Sequence, residues 1–127
     1  NQILNNQNII HFSMIKASEK VDAGDVILRS QLKLDGTEIY QEIREKSSYT
    51  IIKLIIKFLK NFPTFKLEKQ KGHGKFFKKR KSDDQELKIN KSIKANFNIL
   101  RTANNEKWPA FFKYKKNKYI IKIYKNK

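Results

Sequence analysis

The sequence predicts an α+β chain, because short apolar runs typical of strands occur together with segments of helical periodicity. Residues 9–15 form one apolar run, and residues 26–34 form a second whose latter part alternates apolar and polar side chains. Apolar residues then recur at helical spacing between Ile39 and Leu59. The predicted element order is strand, strand, helix, loop, helix, strand, strand.

The first helix is predicted to run from Asp35 to about Asn61. Asp35 can cap it, and Glu38 three residues later completes the pattern of a capping box. Pro63 follows the helix and prevents its continuation. Residues 51–59 are apolar on more than one face, so we expect this helix to be buried against a larger body.

The second half of the chain is predicted to contain a long loop, a helix and a hairpin. Residues 63–88 are polar, and their Gly-His-Gly sequence around His73 is more typical of a loop tip than of a catalytic site. Asn90 is predicted to cap the second helix. Residues 110–114 and 118–124 are predicted to pair as a hairpin. The predicted divisions of the chain are 1–62, 63–88 and 89–127.

The composition excludes several kinds of site. The chain has 127 residues, a formal net charge of +17, no cysteine and two histidines. The lack of cysteine excludes disulfides, zinc–thiolate sites and thiol nucleophiles. The two histidines, His11 and His73, are too few for a multi-histidine metal centre, so we expect no metal. The sequence contains no run of about 18 apolar residues, so no membrane span is predicted. No signal segment follows Asn1, so a cytoplasmic location is expected, and the missing initiator Met indicates a piece of a longer chain.

The positive charge leaves two explanations open. Residues 63–127 carry a net charge of +15 against +2 for residues 1–62, and the run 75–81 places two phenylalanines beside five cations. Such a surface can attract nucleic acid, so a nucleic-acid-binding module without catalysis is one alternative. Lysine, however, supplies 25 of the 29 basic residues and lacks the bidentate geometry of arginine. Because Lys, Ile and Asn share A- and T-rich codons, genome composition is the other explanation.

The most informative segment is the acidic turn Val-Asp-Ala-Gly-Asp at 21–25, between the two predicted strands. A Phe-x-x-Arg-x-x-x-Asp segment containing Arg80 and Asp84 follows the first helix. An Asn-Ile-Leu-Arg sequence at 98–101 and a Pro-Ala-Phe sequence at 109–111 come next.

This series resembles the C-terminal half of the folate-dependent formyltransferases, from about Ile3 to Tyr124. The family includes methionyl-tRNA formyltransferases and sugar N-formyltransferases. The Trp-Pro-Ala-Phe-Phe segment and the strand after it look more like the sugar-modifying branch. The resemblance implies the C-terminal part of a Rossmann-like domain, a β-hairpin plus a long helix, followed by a small subdomain of a helix and a β-hairpin. It makes the C-terminal hairpin a candidate homodimer contact.

The resemblance also implies an activity and a set of site residues. In this family a formyl group passes from 10-formyltetrahydrofolate to an amine, here the amine of a nucleotide-linked amino sugar or, in the alternative branch, of methionyl-tRNA. Asp22 matches the catalytic aspartate, which orients a histidine or takes the proton of the amine. Arg80 and Asp84 either contact phosphates of the acceptor or pair with each other. The residues expected beside the pterin ring are Lys20, Val21, Ala23 and Gly24.

The sequence lacks the other half of the family's site. The matching asparagine and histidine belong to a motif resembling Asn-x-His-x-Ser-Leu-Leu-Pro, which does not occur in this sequence. Neither His11 nor His73 takes its place. We therefore expect no formyltransferase activity from this chain alone, and a non-enzymatic remnant is a further alternative.

Overall fold

The structure is a computed structural model that describes residues 1–71 and 77–126. In chain order its principal elements are strands β1 (Ile9–Ile15) and β2 (Val26–Lys33), helices α1 (Tyr40–Asn61) and α2 (Ile93–Thr102), and strands β3 (Ala110–Tyr114) and β4 (Asn117–Ile121). The predicted α+β class is confirmed. His73 and the beginning of the basic run lie outside the described residues.

The chain forms two compact units, and each unit is assembled from stretches that are separate in the sequence. The first unit contains residues 1–8, 34–44 and 77–127, and the second contains residues 9–33 and 45–76. Helix α1 contributes its first turn to the first unit and its remainder to the second. The predicted division into residues 1–62, 63–88 and 89–127 differs from these units. It stays a prediction.

The second unit is built on an antiparallel hairpin. Strand β1 pairs with β2 in a register that runs from Ile9 opposite Lys33 to Met14 opposite Leu28. The register shifts between Met14 and Ile15, where a bulge leads into the connecting loop. Both strands lie where the apolar runs predicted them, with β2 one residue shorter.

The part of α1 in the second unit leaves most of its apolar side chains exposed. Leu54 is buried, whereas Ile52 and Leu59 are 53% and 65% exposed, and Ile51, Ile55 and Ile56 are exposed as well. At the end of the helix Phe58 stacks on Phe65 with ring centroids 4.8 Å apart. The expected burial of this helix against a larger body is therefore not seen among the described residues, because Leu54 alone among its side chains is buried there.

Helix α1 begins at Tyr40 and not at the predicted capping box. Glu38 instead accepts hydrogen bonds from the backbone N–H groups of Asp35 and Gly36, at 3.1 and 3.0 Å. Gly36 has φ 97°, which is not helical. The backbone N–H of Ile39, the residue before the helix, donates instead to the carboxylate of Glu42 in the first turn, at 3.0 Å.

The first unit has its core between α2 and the C-terminal hairpin. Its buried apolar side chains are Leu87, Leu100, Ala103 and Ala110, with Ile99, Phe112, Ile121 and Ile123 packed against them. Strands β3 and β4 are antiparallel and place Ala110 opposite Ile121. The turn lies at Lys115, which has φ 53°, and β4 ends at Ile121 rather than at the predicted residue 124.

A buried arginine organises this unit. Arg101 and Glu38 are each 1% exposed, and Arg101 Nη1 lies 3.9 Å from a Glu38 carboxylate oxygen. The guanidinium also donates to the side-chain oxygens of Asn8 at 2.6 Å and Asn98 at 2.8 Å. Burial lowers the Arg101 pKa, and the negative charge of Glu38 partly offsets this effect. Three separate chain segments are thereby joined through one side chain.

The cap of helix α2 lies two residues after the predicted one. Ser92 is the N-cap, and its hydroxyl accepts a hydrogen bond from Ala95 N–H at 3.2 Å. Asn90 therefore does not cap this helix. Within the part of the chain that the structure describes, no helix is long and apolar enough to cross a bilayer.

Candidate functional site

The loop between β1 and β2, residues 16–25, carries the predicted catalytic carboxylate. Asp22 has φ 56°, a left-handed conformation that aspartate adopts more readily than most residues. Its side chain is exposed, and no donor within residues 1–71 and 77–126 bonds to its carboxylate. The carboxylate is therefore available to an external proton donor or hydrogen-bond donor.

Gly24 fixes the path of this loop. It is buried, and a Cβ atom placed on it would lie 1.6 Å from the carbonyl oxygen of Lys16. The two ends of the loop are joined there, because Lys16 N–H donates to the Asp25 carbonyl at 2.9 Å. Only glycine fits this approach of backbone to backbone. Gly24 therefore has a steric reason in this loop in addition to its place in the motif that resembles the family's.

A second contact holds the loop from outside. The side-chain amide of Gln70 donates to the carbonyls of Asp22 and Gly24, both at 2.7 Å. Gln70 is positioned by a short antiparallel bridge, in which Val26 and Glu68 exchange backbone hydrogen bonds of 2.7 and 2.9 Å. Gln70 cannot be identified from the sequence, because no pattern of neighbouring residues links it to a loop 46 residues earlier. The backbone carbonyls of Asp22 and Gly24 are thus held by one side chain, while the Asp22 carboxylate is left open.

The exposed side chains of the loop include one apolar and one acidic residue next to each other in the chain. Val21 is 85% exposed, and the following residue, Asp22, is exposed as well. Lys20 and Ala23 close the turn, with Ala23 N–H donating to the Lys20 carbonyl at 3.3 Å. Lys20, Val21, Ala23 and Gly24 therefore belong to one continuous turn, and their contact with the pterin stays a prediction.

Neither histidine is placed beside Asp22 by the described contacts. His11 is exposed in the middle of β1, opposite Gln31, four residues before the strand ends. His73 lies outside the described residues. Across residues 1–71 and 77–126 no group of three or more His, Asp or Glu side chains could hold a metal ion.

Arg80 and Asp84 lie in the first unit, around a short 3₁₀ turn at Ser82–Gln85. The Asp84 carboxylate accepts a hydrogen bond from Lys81 N–H at 2.6 Å, and Arg80 Nη2 is 3.5 Å from the backbone oxygen of Asp84. Arg80 Nε is buried and has no hydrogen-bond partner among the described residues. Burial lowers the pKa of Arg80, an effect that the charge of Asp84 partly offsets. Asp84 thus caps a turn, whereas Arg80 retains an unused buried donor.

Comparison with solved structures identifies the fold. The chain superposes on methionyl-tRNA formyltransferase from Clostridium thermocellum with a TM-score of 0.77 and 21% identity, covering 99% of this chain and 55% of that one. A 4-N formyltransferase from Francisella tularensis gives a TM-score of 0.68 and 19% identity, again over 99% and 55% of the two chains. HypX from Aquifex aeolicus, solved with tetrahydrofolic acid, gives 0.67 and 20% identity over 88% of this chain and 20% of that one.

These likenesses define a class of fold. The chain has the fold of the formyltransferases, which confirms at that level the resemblance seen in its sequence. It spans about half the length of the two formyltransferases. No protein-family model and no curated protein matches the chain by sequence.

Proposed function

We propose that this chain is the aspartate-bearing part of a folate-dependent formyltransferase that acts on the amine of a nucleotide-linked amino sugar. The observation that carries the proposal is the match to formyltransferase structures over 99% of the chain. The geometry of the β1–β2 loop supports it, because a rigid backbone presents an exposed carboxylate that no described residue uses.

The acceptor amine must be neutral at nitrogen to attack a carbonyl carbon, and in water it is mostly protonated. Asp22 accepts the proton that the amine loses, a role that requires an ionised carboxylate within hydrogen-bond reach of the nitrogen. When bound, 10-formyltetrahydrofolate would supply the formyl group, and the folate nitrogen would leave as tetrahydrofolate by taking up a proton equivalent to the one that the amine loses. Val21 and the backbone groups of the turn from Lys20 to Gly24 hold the pterin edge. Gln70 keeps that turn from moving while the ligands exchange.

The oxyanion that forms during acyl transfer needs hydrogen-bond donors. The family's asparagine and histidine, which would supply them, have no counterpart in this sequence. The chain therefore depends on a further polypeptide segment for turnover. We expect the 127-residue chain alone to transfer no formyl group above the uncatalysed rate.

The test uses the enzyme in which this chain is joined to the segment bearing the Asn and His. Asp22→Asn should lower turnover by about 10²–10⁴-fold, the usual contribution of a positioned acid or base, with little change in thermal stability because the side chain is exposed. Glu19→Gln is the matched control, since Glu19 is an exposed carboxylate of the same loop. Turnover of Asp22→Asn within threefold of the Glu19→Gln variant would remove Asp22 from the mechanism.

Methionyl-tRNA is the second candidate acceptor, favoured by the likeness to the Clostridium thermocellum enzyme. The two acceptors differ in how their binding responds to salt. A tRNA contacts many phosphate-facing lysines, so its binding should weaken steeply between about 50 and 200 mM salt, whereas a nucleotide sugar should respond weakly. Formylation assays with both acceptors at both salt concentrations distinguish them.

A further inference from the structure

The exposed apolar side chains of helix α1 form one continuous surface, the apolar face of α1. Its members are Ile51, Ile52, Ile55, Ile56, Leu59 and, directly after the helix, Phe62. Each of them is between 43% and 67% exposed. Positions 51, 55 and 59 form one row at helical spacing, and positions 52 and 56 form the neighbouring row. Six large apolar side chains together exceed the scattered single residues that are normal on a protein surface.

The unit that contains this face has little interior of its own. Among its described residues Val26 and Leu54 are the only fully buried apolar side chains, whereas the first unit has a buried cluster around Leu100. Its sheet has two strands, and within residues 1–71 and 77–126 no strand pairs with the outer edge of β1. A two-stranded hairpin is marginally stable unless a further element covers it. The second unit therefore needs another body against which to pack.

Lysines border the apolar face along one side. Lys53, Lys57 and Lys60 are exposed and follow one another at helical spacing, next to the second of the two apolar rows. Lys57 and Lys60 form no ion pair with the residues that the structure describes. The chain has a net charge of +17, so a second copy would meet this border with like charge. A partner with acidic side chains around its own apolar surface is complementary to it.

The solved formyltransferases contain a body of the size required. The match to methionyl-tRNA formyltransferase covers 99% of this chain and leaves close to half of that chain unmatched. The match to the 4-N formyltransferase leaves the same share unmatched. In both proteins this fold therefore occurs together with a further stretch of polypeptide nearly as long as the matched part.

We propose that the apolar face of α1 is the docking surface for the polypeptide segment that completes the formyltransferase fold. The segment presents an apolar surface bordered by acidic side chains, which face the lysines beside Ile52 and Ile56. The inference rests on the proposed function in so far as it takes the covering body to be that segment. It adds where the segment binds and which chemistry its surface has.

Thiol labelling tests this inference, because the sequence contains no cysteine and a single one can be introduced. Ile55→Cys reports on the apolar face, and Ile93→Cys is the matched control, since Ile93 is a 76% exposed isoleucine on α2. In the 127-residue chain alone, both thiols should react with a maleimide at rates within about threefold of each other. In the enzyme in which this chain is joined to the segment bearing the Asn and His, Ile55→Cys should react about 30-fold or more slowly, whereas Ile93→Cys should keep its rate. Mass spectrometry of the labelled peptides assigns each rate to its site.

Charge reversal at the border gives a second matched pair. Lys57→Glu and Lys94→Glu make the same change on exposed lysines of α1 and α2, but only Lys57 borders the apolar face. In the joined enzyme that carries Ile55→Cys, Lys57→Glu should speed labelling about threefold to tenfold, because it brings like charges together, and Lys94→Glu less than about twofold. Leu59→Cys, on the same face, replaces Ile55→Cys if that variant disturbs the fold.

Four results would overturn the proposal. Equal labelling of Ile55→Cys in the chain alone and in the joined enzyme would show that the segment does not cover the face. Equal effects of Lys57→Glu and Lys94→Glu would remove the acidic border. Protection in the chain alone that grows with its concentration would identify a second copy as the occupant, and protection by vesicles of phosphatidylcholine and phosphatidylserine would identify a lipid surface.

The labelling readout separates this inference from the proposed function, because it does not depend on turnover. Protection of Ile55→Cys together with unchanged turnover of Asp22→Asn would support the docking surface and refute the role of Asp22. Full labelling of Ile55→Cys together with lost turnover of Asp22→Asn would do the reverse.

Discussion

Replacement of Arg101 by methionine tests the interaction on which the first unit depends. Methionine keeps an unbranched side chain of similar length and removes the guanidinium. Three contacts disappear, namely the hydrogen bonds to Asn8 and Asn98 and the ion pair with Glu38 at 3.9 Å. Glu38 then remains 1% exposed and negatively charged without the cation that Arg101 supplies.

The expected cost is about 3–5 kcal/mol in the free energy of unfolding, the usual penalty for removing one partner of a buried ion pair. Most of this penalty arises from the charge that stays behind, because the Glu38 carboxylate keeps its backbone donors at Asp35 and Gly36 but loses the guanidinium. Adding Glu38→Gln to Arg101→Met should therefore recover part of the loss, about 1–2 kcal/mol.

Urea unfolding followed by tryptophan fluorescence measures this directly. Trp108 is the single tryptophan, and it belongs to the same unit as Arg101. Arg44→Met is the control, because Arg44 is an exposed arginine of that unit and should change stability by less than about 0.5 kcal/mol. A loss below about 1 kcal/mol for Arg101→Met, or no recovery in the double variant, would show that the buried charge of Glu38 does not determine the stability of this unit.

Three further predictions concern backbone contacts and pH. Gly24→Ala should destabilise the chain by about 2–4 kcal/mol in thermal melts, because its Cβ would meet the Lys16 carbonyl oxygen. Gln70→Ala should speed hydrogen exchange of the β1–β2 loop amides about fivefold, since loss of the two bonds costs about 1 kcal/mol; unchanged exchange would show that the loop is rigid without them. A hydrogen bond to Glu86 and the charge of its carboxylate raise the pKa of Lys113 above 10.5. The stabilisation from this pair is therefore fully present below pH 10.5, and it is lost as the pH rises through the raised pKa of Lys113. The melting-temperature difference between Lys113→Met and the unsubstituted chain should shrink from pH 9 to pH 12.

Local patterns predicted the positions of the strands because strand formation follows from neighbouring side chains. Residues 9–15 and 110–114 lie in the structure as their apolar runs indicate. The beginnings of both helices were predicted less well. Glu38 and Asn90 have the chemistry of capping positions, but Glu38 is used in a buried turn beside Arg101, and Ser92 caps α2 instead.

In the candidate site, too, the sequence identified the residues of a local motif but not the residues that contact it from distant parts of the chain. The acidic turn and its resemblance to formyltransferases identified Asp22 and its neighbours, and the role of Asp22 stays a prediction. Gln70 could not be found, because a side chain that bonds to carbonyls 46 and 48 residues away leaves no periodicity in the sequence. The free donor of Arg80 was equally hidden, since an Arg-x-x-x-Asp spacing suggests an ion pair that does not form within the described residues.

The sequence by itself determined the α+β class, the two hairpins, the end of α1 and the acidic turn, because each depends on side chains within a few residues. The tertiary structure alone decided which polar groups are buried together. Arg101 meets Glu38 from 63 positions away, and Gln70 reaches Gly24 across 46. Such pairs form because a buried polar group must find a partner wherever the fold brings one, and chain order carries no record of that choice.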